Sequence, residues 1–221
     1  TVSRARDAVG FDVQTDHNGS RASRPLPDQK ASPVTSEIRL VAIVGSLRSG
    51  SVNRLVMESA MSLLPDGVTL EELPVAAVPM YDGDVEAAGD PDEVAAFKDL
   101  VRAADGLVIF TPEYNISVPA LVKNAIDWLS RPYGSGAITE VTVGVVAASP
   151  GGRAAVGARG HLSDILSIIC PGFHRETLGV GKVHDALSDG RLTGQAAAEL
   201  EAWLSGFVCH TRARRELAQA D

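Results

Sequence analysis

Short uninterrupted apolar runs recur along this chain, and each leads through a loop into a helical pattern. Leu40-Val41-Ala42-Ile43-Val44, Leu107-Val108-Ile109-Phe110 and Val141 to Ala148 lack the polar alternation of a strand with one wet face. Such runs suit strands buried on both sides, and strands that alternate with helices join as parallel neighbours covered by the crossover helices. The chain is therefore expected to be α/β, a parallel sheet between two helical layers. Val68 to Leu73 alternates like a half-exposed strand until Pro74 and Pro79 break it, and a last strand is expected within Phe173 to Val180.

The intervening segments carry helix signals. Val52, Leu55, Val56, Ser59, Ala60, Leu63 and Leu64 recur at helical spacing after the first run. A long loop is expected from Pro74 to about residue 90. There Asp90 reads as an N-cap, Pro91 as the first helical position, and Val94, Phe97, Leu100 and Val101 as a buried face. Ser117 reads as the cap of a helix with Pro119 in its first turn and Val118, Leu121, Val122, Ala125, Ile126 and Leu129 on its apolar side. Leu162, Ile165, Leu166 and Ile169 mark a further helix. Residues 193 to 216 form a terminal one through Leu200, Trp203, Leu204 and Phe207.

Composition narrows the function classes. With 221 residues, 45% of them hydrophobic, the chain can bury one substantial core. A net charge of −8 with dispersed basic residues argues against nucleic acid, which needs clustered Lys or Arg. No apolar segment approaches the roughly 20 residues that span a bilayer, and no signal-peptide core precedes residue 36, so a cytoplasmic protein without membrane contact is expected. Cys170 and Cys209 lack CxxC spacing, and His17, His161, His174, His184 and His210 are scattered, so neither a disulfide framework nor a metal site is expected. Residues 1–36 show almost no apolar periodicity and read as a disordered tail before a folded domain at 37–221.

Ligands of open parallel sheets bind beyond the carboxyl ends of the strands. Three loops meet that rule: residues 45–54, 111–117 and 148–152. In the first, Gly45 to Arg54 joins a strand to a helix, where backbone N–H groups and the helix dipole favour an anion and Ser46, Arg48, Ser51 and Asn53 add donors. The loop has no Gly-Lys-Ser/Thr ending and is not GxGxxG, so it fits a monophosphate held without a metal, with FMN as the candidate. A polar turn that merely caps the helix is the alternative.

Together with that loop, Thr111-Pro112-Glu113-Tyr114-Asn115-Ile116-Ser117-Val118-Pro119-Ala120 and the following Leu121 to Leu129 resemble the NADPH-dependent FMN reductases, over roughly residues 38 to 205. The family includes quinone, chromate and azo-dye reductases. The resemblance implies a flavodoxin-like, doubly wound fold with five parallel strands in the order 2-1-3-4-5 and helices on both faces. It implies that Ser46, Arg48, Ser51 and Asn53 hold the FMN phosphate, that Pro112, Glu113, Tyr114 and Asn115 wrap the isoalloxazine ring, and that Ser149, Gly151 and Gly152 form a second ring-contacting loop. Just beyond, the sequence departs from the family pattern: Ala154, Ala155 and Gly157 stand where a glycine pair and an arginine are usual.

The resemblance further implies an NAD(P)H-dependent oxidoreductase that reduces a small-molecule acceptor in ping-pong fashion, as a homodimer or homotetramer. The flavin carries the chemistry, so no catalytic side chain is required. An electron carrier of the same fold, serving a protein partner, is the alternative. Glu113 reads as loop scaffold. Trp128 reads as core or subunit interface, with the interface favoured, and Asp127 with Arg131 as a surface pair. The residues do not distinguish NADH from NADPH.

Overall fold

The structure, a computed structural model, describes residues 37–220. The tail expected at 1–36 lies outside the described residues. Five strands run parallel in the order β2-β1-β3-β4-β5, with β1 at Ile38–Val44, β2 at Val68–Glu72, β3 at Gly106–Thr111, β4 at Thr142–Ala148 and β5 at Leu178–Val180. This is the order that the flavodoxin-like resemblance implies.

Period-two side-chain alternation divides the core into two layers. Val41, Ile43, Leu107, Ile109, Val143 and Val145 join one cluster. They pack there with Phe97 of α3 (Asp92–Arg102), Ile126 of α4 (Ala120–Leu129) and Leu162 of α5 (Val156–Ile169). Leu40, Ala42, Val44, Val108, Phe110 and Val146 join the other, with Val56 of α1 (Val52–Ser62) and Leu204 and Phe207 of α7 (Gly194–Ala220). Burying each such large side chain contributes about 1.5–3 kcal/mol. The three inner strands, β1, β3 and β4, are covered on both sides, which is why they read as continuous apolar runs. Gly144 lets α7 approach: a Cβ there would lie 2.7 Å from the Trp203 ring and 2.9 Å from that of Phe207.

Several expectations change at the periphery. The loop expected between Pro74 and residue 90 contains α2 (Gly83–Ala88), capped by Asp82, whose carboxylate accepts from the Asp84 N–H at 2.8 Å. Asp90 caps nothing; Pro91 takes the N-cap place, and Asp90 accepts from the buried Lys98 ammonium at 2.7 Å. Ser117 likewise does not cap α4, where Pro119 stands at the N-cap. Between β5 and α7 lie a short helix α6 (Val183–Ala186) and a hairpin of β6 (Leu187–Ser188) and β7 (Arg191–Leu192).

Trp128 is core, fully buried, with its indole N–H donating to the Pro79 carbonyl at 2.9 Å and Tyr81 edge-on at 5.0 Å. Trp128 is covered by the chain's own Pro79–Tyr81 segment, and Val122, Ala125, Ile126 and Leu129 of α4 join the sheet core. Asp127 and Arg131 do not pair. Asp127 accepts from Lys123 at 2.5 Å, while Arg131 donates to Glu86 at 3.1 Å and to the Tyr81 hydroxyl. The Tyr81 hydroxyl in turn donates to Glu86 at 2.6 Å and, with Arg131, holds the Glu86 carboxyl below its usual range.

Candidate functional site

The loops after β1, β3 and β4 lie side by side, because those strands are neighbours and run the same way. Gly45 closes the gap between the first two: a Cβ there would lie 2.6 Å from Val122 and 3.1 Å from the Pro112 ring. Ser51 is the N-cap of α1, and its hydroxyl accepts from the Arg54 N–H at 3.3 Å. Helix geometry leaves the N–H groups of Val52 and Asn53 without intrahelical acceptors, so they face whatever docks at this end. The Ser46 hydroxyl accepts from the Arg48 N–H at 3.5 Å, and the Arg48 side chain is exposed.

The Asn53 side chain is engaged inside the protein. Its Nδ2 donates to the Ala148 carbonyl at 3.1 Å, and its Oδ1 accepts from the Ala148 N–H at 2.9 Å. The first turn of α1 is thereby tied to the last residue of β4. This fixes the distance between the expected phosphate loop and the 149–152 loop.

The second loop folds into a tight turn. Tyr114 and Ser117 exchange both backbone hydrogen bonds, at 3.1 and 2.9 Å, and the central residues Asn115 and Ile116 have φ of 52° and 61°. Two left-handed central residues make a type I′ turn, which asparagine tolerates and β-branched isoleucine resists. The turn is fastened to α5 at both feet. Glu113 Oε2 accepts from the Gly157 and Ala158 N–H groups at 2.6 and 3.1 Å, and the Ser117 hydroxyl shares a hydrogen bond with His161 Nδ1 at 3.0 Å.

The third loop is pinned from the β5 side. The Ser149 N–H donates to the Val180 carbonyl, the Val183 N–H to the Ser149 carbonyl, and the Lys182 N–H to the Gly151 carbonyl, all at 3.0–3.1 Å. Ala154 and Ala155, where glycines are usual in the family pattern, both adopt left-handed φ, 51° and 52°.

A hollow of about 270 Å³ opens where the loops meet, and Ser46, Arg48, Ser51, Asn53, Pro112, Glu113, Tyr114 and Ser149 are on its wall. Asn115, Gly151 and Gly152 are not. A shallow apolar groove formed by Leu47, Pro119, Ala120 and Leu121 adjoins it and shares Ser46, Arg48 and Tyr114. His184 of α6 also lines the hollow, and sequence reading missed it because a single histidine in no pattern gives no signal. Glu113, the one carboxylate on the wall, has its Oε2 engaged by two N–H donors of α5, while Arg48 and the open N-terminus of α1 bring positive charge and free donors, so the hollow favours an anion. That donor set, beside the flat surfaces of Pro112 and Tyr114, fits a phosphate carrying an aromatic ring. A separate hollow at the opposite ends of the strands has its carboxylates, Asp105 and Glu140, paired with Arg215 and Arg102. No helix among the described residues is long and apolar enough to cross a membrane.

Comparison with known proteins agrees with this geometry. The family model described as NADPH-dependent FMN reductase matches residues 38–185. A quinone reductase from Pseudomonas putida is 33% identical over 183 residues, 81% of this chain and 98% of that protein. An NAD(P)H-dependent FMN reductase from Pseudomonas aeruginosa is 44% identical over 99 residues; the match spans 45% of this chain and about half (54%) of that relative's length. Among solved structures, a flavoenzyme NAD(P)H:(acceptor) oxidoreductase from Paracoccus denitrificans superposes with a TM-score of 0.70 at 29% identity, covering 80% of this chain and 98% of that one.

Proposed function

The chain belongs to the NADPH-dependent FMN reductase family, and on that premise we propose that it is an NAD(P)H-dependent, FMN-containing oxidoreductase that reduces quinones. The observation that carries the reading is the single hollow shared by the helix-N-terminal loop at Ser46–Asn53 and the Pro112–Tyr114 loop. The first suits a phosphate, and the second suits the ring attached to it.

FMN, when bound, supplies the two-electron chemistry, and the protein supplies binding, orientation and electrostatics. Arg48, the Ser46 and Ser51 hydroxyls and the α1 N–H groups take the phosphate. Pro112, Glu113 and Tyr114 would frame one side of the ring, with Glu113 acting through its cap on α5 and Asn115 through the turn that presents Tyr114. The Ser149–Gly152 loop would border the ring's edge through Ser149, on the wall of the hollow, with the loop held by the Lys182 N–H on the Gly151 carbonyl. The adjoining groove gives donor and acceptor one shared approach, so they take turns, which predicts ping-pong kinetics. An open face also suits chromate, azo compounds or free flavin as acceptors.

Leu47, 65% exposed in that groove, and Ile116, 60% exposed in the turn after β3, support a homodimer or homotetramer. The absence of a disulfide between Cys170 and Cys209 suits a reducing cytoplasm.

The deciding experiment is stopped-flow reduction of the purified flavoprotein by NADH and NADPH, followed by reoxidation with each acceptor class. Fast reduction and parallel-line kinetics with a quinone are expected. A protein that retains FMN but oxidises no nicotinamide is an electron carrier, and one that binds no flavin refutes both readings.

A further inference from the structure

The geometry points to His184 as a ligand of the cofactor's phosphate, a role that rests on the flavin reading above. The other phosphate-directed groups, Ser46, Arg48, Ser51 and the first N–H groups of α1, all belong to one continuous segment. They approach an anion from the side of β1 and α1. A phosphate monoester carries three terminal oxygens with acceptor capacity in several directions, so a donor from a second element adds a contact beyond those of the β1–α1 segment. His184 reaches the same hollow from a different element, after β5.

Its position is determined by backbone contacts rather than by its own side chain. The Lys182 and Val183 N–H groups donate to the Gly151 and Ser149 carbonyls, each at 3.1 Å, and Val183 is wholly buried in the α1 and α7 layer. The segment then lies along α1: the Leu192 N–H donates to the Ser59 hydroxyl at 2.9 Å, and Leu55 lies 3.7 Å from where a Cβ on Gly190 would stand. His184 is thus carried on a strap anchored to the third loop and to α1, next to buried Val183, and it lines the hollow while remaining exposed. Among the described residues, none forms a hydrogen bond with its imidazole, so a ring N–H is available to a ligand oxygen. Imidazole offers that donor in both its neutral and protonated forms.

The test separates phosphate from ring. Dissociation constants of FMN and riboflavin are measured by flavin fluorescence for the full chain and for His184→Ala and His184→Gln, with thermal unfolding of each. FMN binding is expected to weaken about tenfold in His184→Ala, the scale of one hydrogen bond to a charged group. Riboflavin binding and the melting temperature stay unchanged, and His184→Gln, which keeps an N–H donor, recovers part of the FMN affinity. Unchanged FMN affinity in His184→Ala overturns the assignment, as does an equal loss for both flavins, which places the residue against the ring or the fold. An unaltered chain that binds neither flavin removes the flavin reading and this assignment together. An unaltered chain that prefers FMN, with His184→Ala keeping the full preference, removes this assignment alone.

Discussion

The carboxylate of Glu113 accepts from the backbone N–H of Gly157 at 2.6 Å, joining the loop after β3 to the start of α5 across 44 residues of sequence. Helix α5 has no capping side chain of its own, since its N-cap is Ala155. One carboxylate therefore does two things: it satisfies helix donors and holds the Tyr114–Ser117 turn against the helix. Glu113→Ala is expected to lower stability by about 1–2 kcal/mol, the cost of a lost cap, and to weaken FMN binding. Glu113→Gln keeps an acceptor and should lose less of both. Denaturant midpoints and flavin titration check the ordering.

Asn53 and Ala148 form the corresponding bond on the side of the β1–α1 loop. The pair is buried and uses both ends of the amide, so Asn53→Ala leaves a buried N–H and C=O of β4 without partners. The expected loss is about 2–3 kcal/mol. Asn53→Asp, which retains the acceptor and loses the donor, should also destabilise. If equilibrium unfolding shows either variant within experimental error of the native protein, the strut has no energetic role.

How much of this was legible beforehand depends on the range of the forces. β1, β3 and β4 could be read because burial on both faces leaves an uninterrupted apolar run. β5 could be read only loosely, because three residues pairing along one edge impose little pattern. Asp189-Gly190 is a hairpin turn signal, yet its two-residue strands are too short to show alternation. Periodicity marked Trp128 as apolar-facing but could not say that Pro79 and Tyr81 cover it. That Ser46, Arg48 and Ser51 lie together on one wall was legible because a polar strand-to-helix turn is local in sequence. The Asn53–Ala148 and Glu113–Gly157 bonds and the approach of His184 are products of the folded topology.

Two thiols should respond differently to alkylation. Burial pushes the Cys170 thiol up to about 11, so it stays protonated and inaccessible at neutral pH, while Cys209 is exposed. Iodoacetamide on the native protein is expected to add one group, at Cys209, and a second only on unfolding. Peptide mass mapping distinguishes the two.

His174 packs edge-on against Trp203 and Phe207, each at 5.8 Å, with the His210 ring at 5.4 Å. Burial, then the nearby His210, lowers its pKa, and Glu176 offsets this in part. A folded pKa below the unfolded one means the unfolded chain binds the proton first. Stability is therefore unaffected above the ordinary histidine value and declines as pH falls through it, about 6.5. Melting temperatures between pH 8 and 5 should show this decline, and His174→Phe should flatten it.

Two glycines of α5, one turn apart, should respond oppositely to the same substitution. At Gly160 a Cβ meets nothing within 4 Å, so Gly160→Ala is expected to stabilise by about 0.5–1 kcal/mol through helix propensity alone. At Gly157 a Cβ would lie 2.6 Å from the Ile116 carbonyl oxygen and 2.9 Å from Glu113 Oε2. Both are fixed, the first by the left-handed turn and the second by its bonds to this helix. Gly157→Ala must displace the turn, at about 1–3 kcal/mol, and with it Tyr114 on the wall of the hollow. Flavin affinity should fall in Gly157→Ala and hold in Gly160→Ala. Equal stability and equal flavin binding in the two variants would show that the turn does not rest on α5.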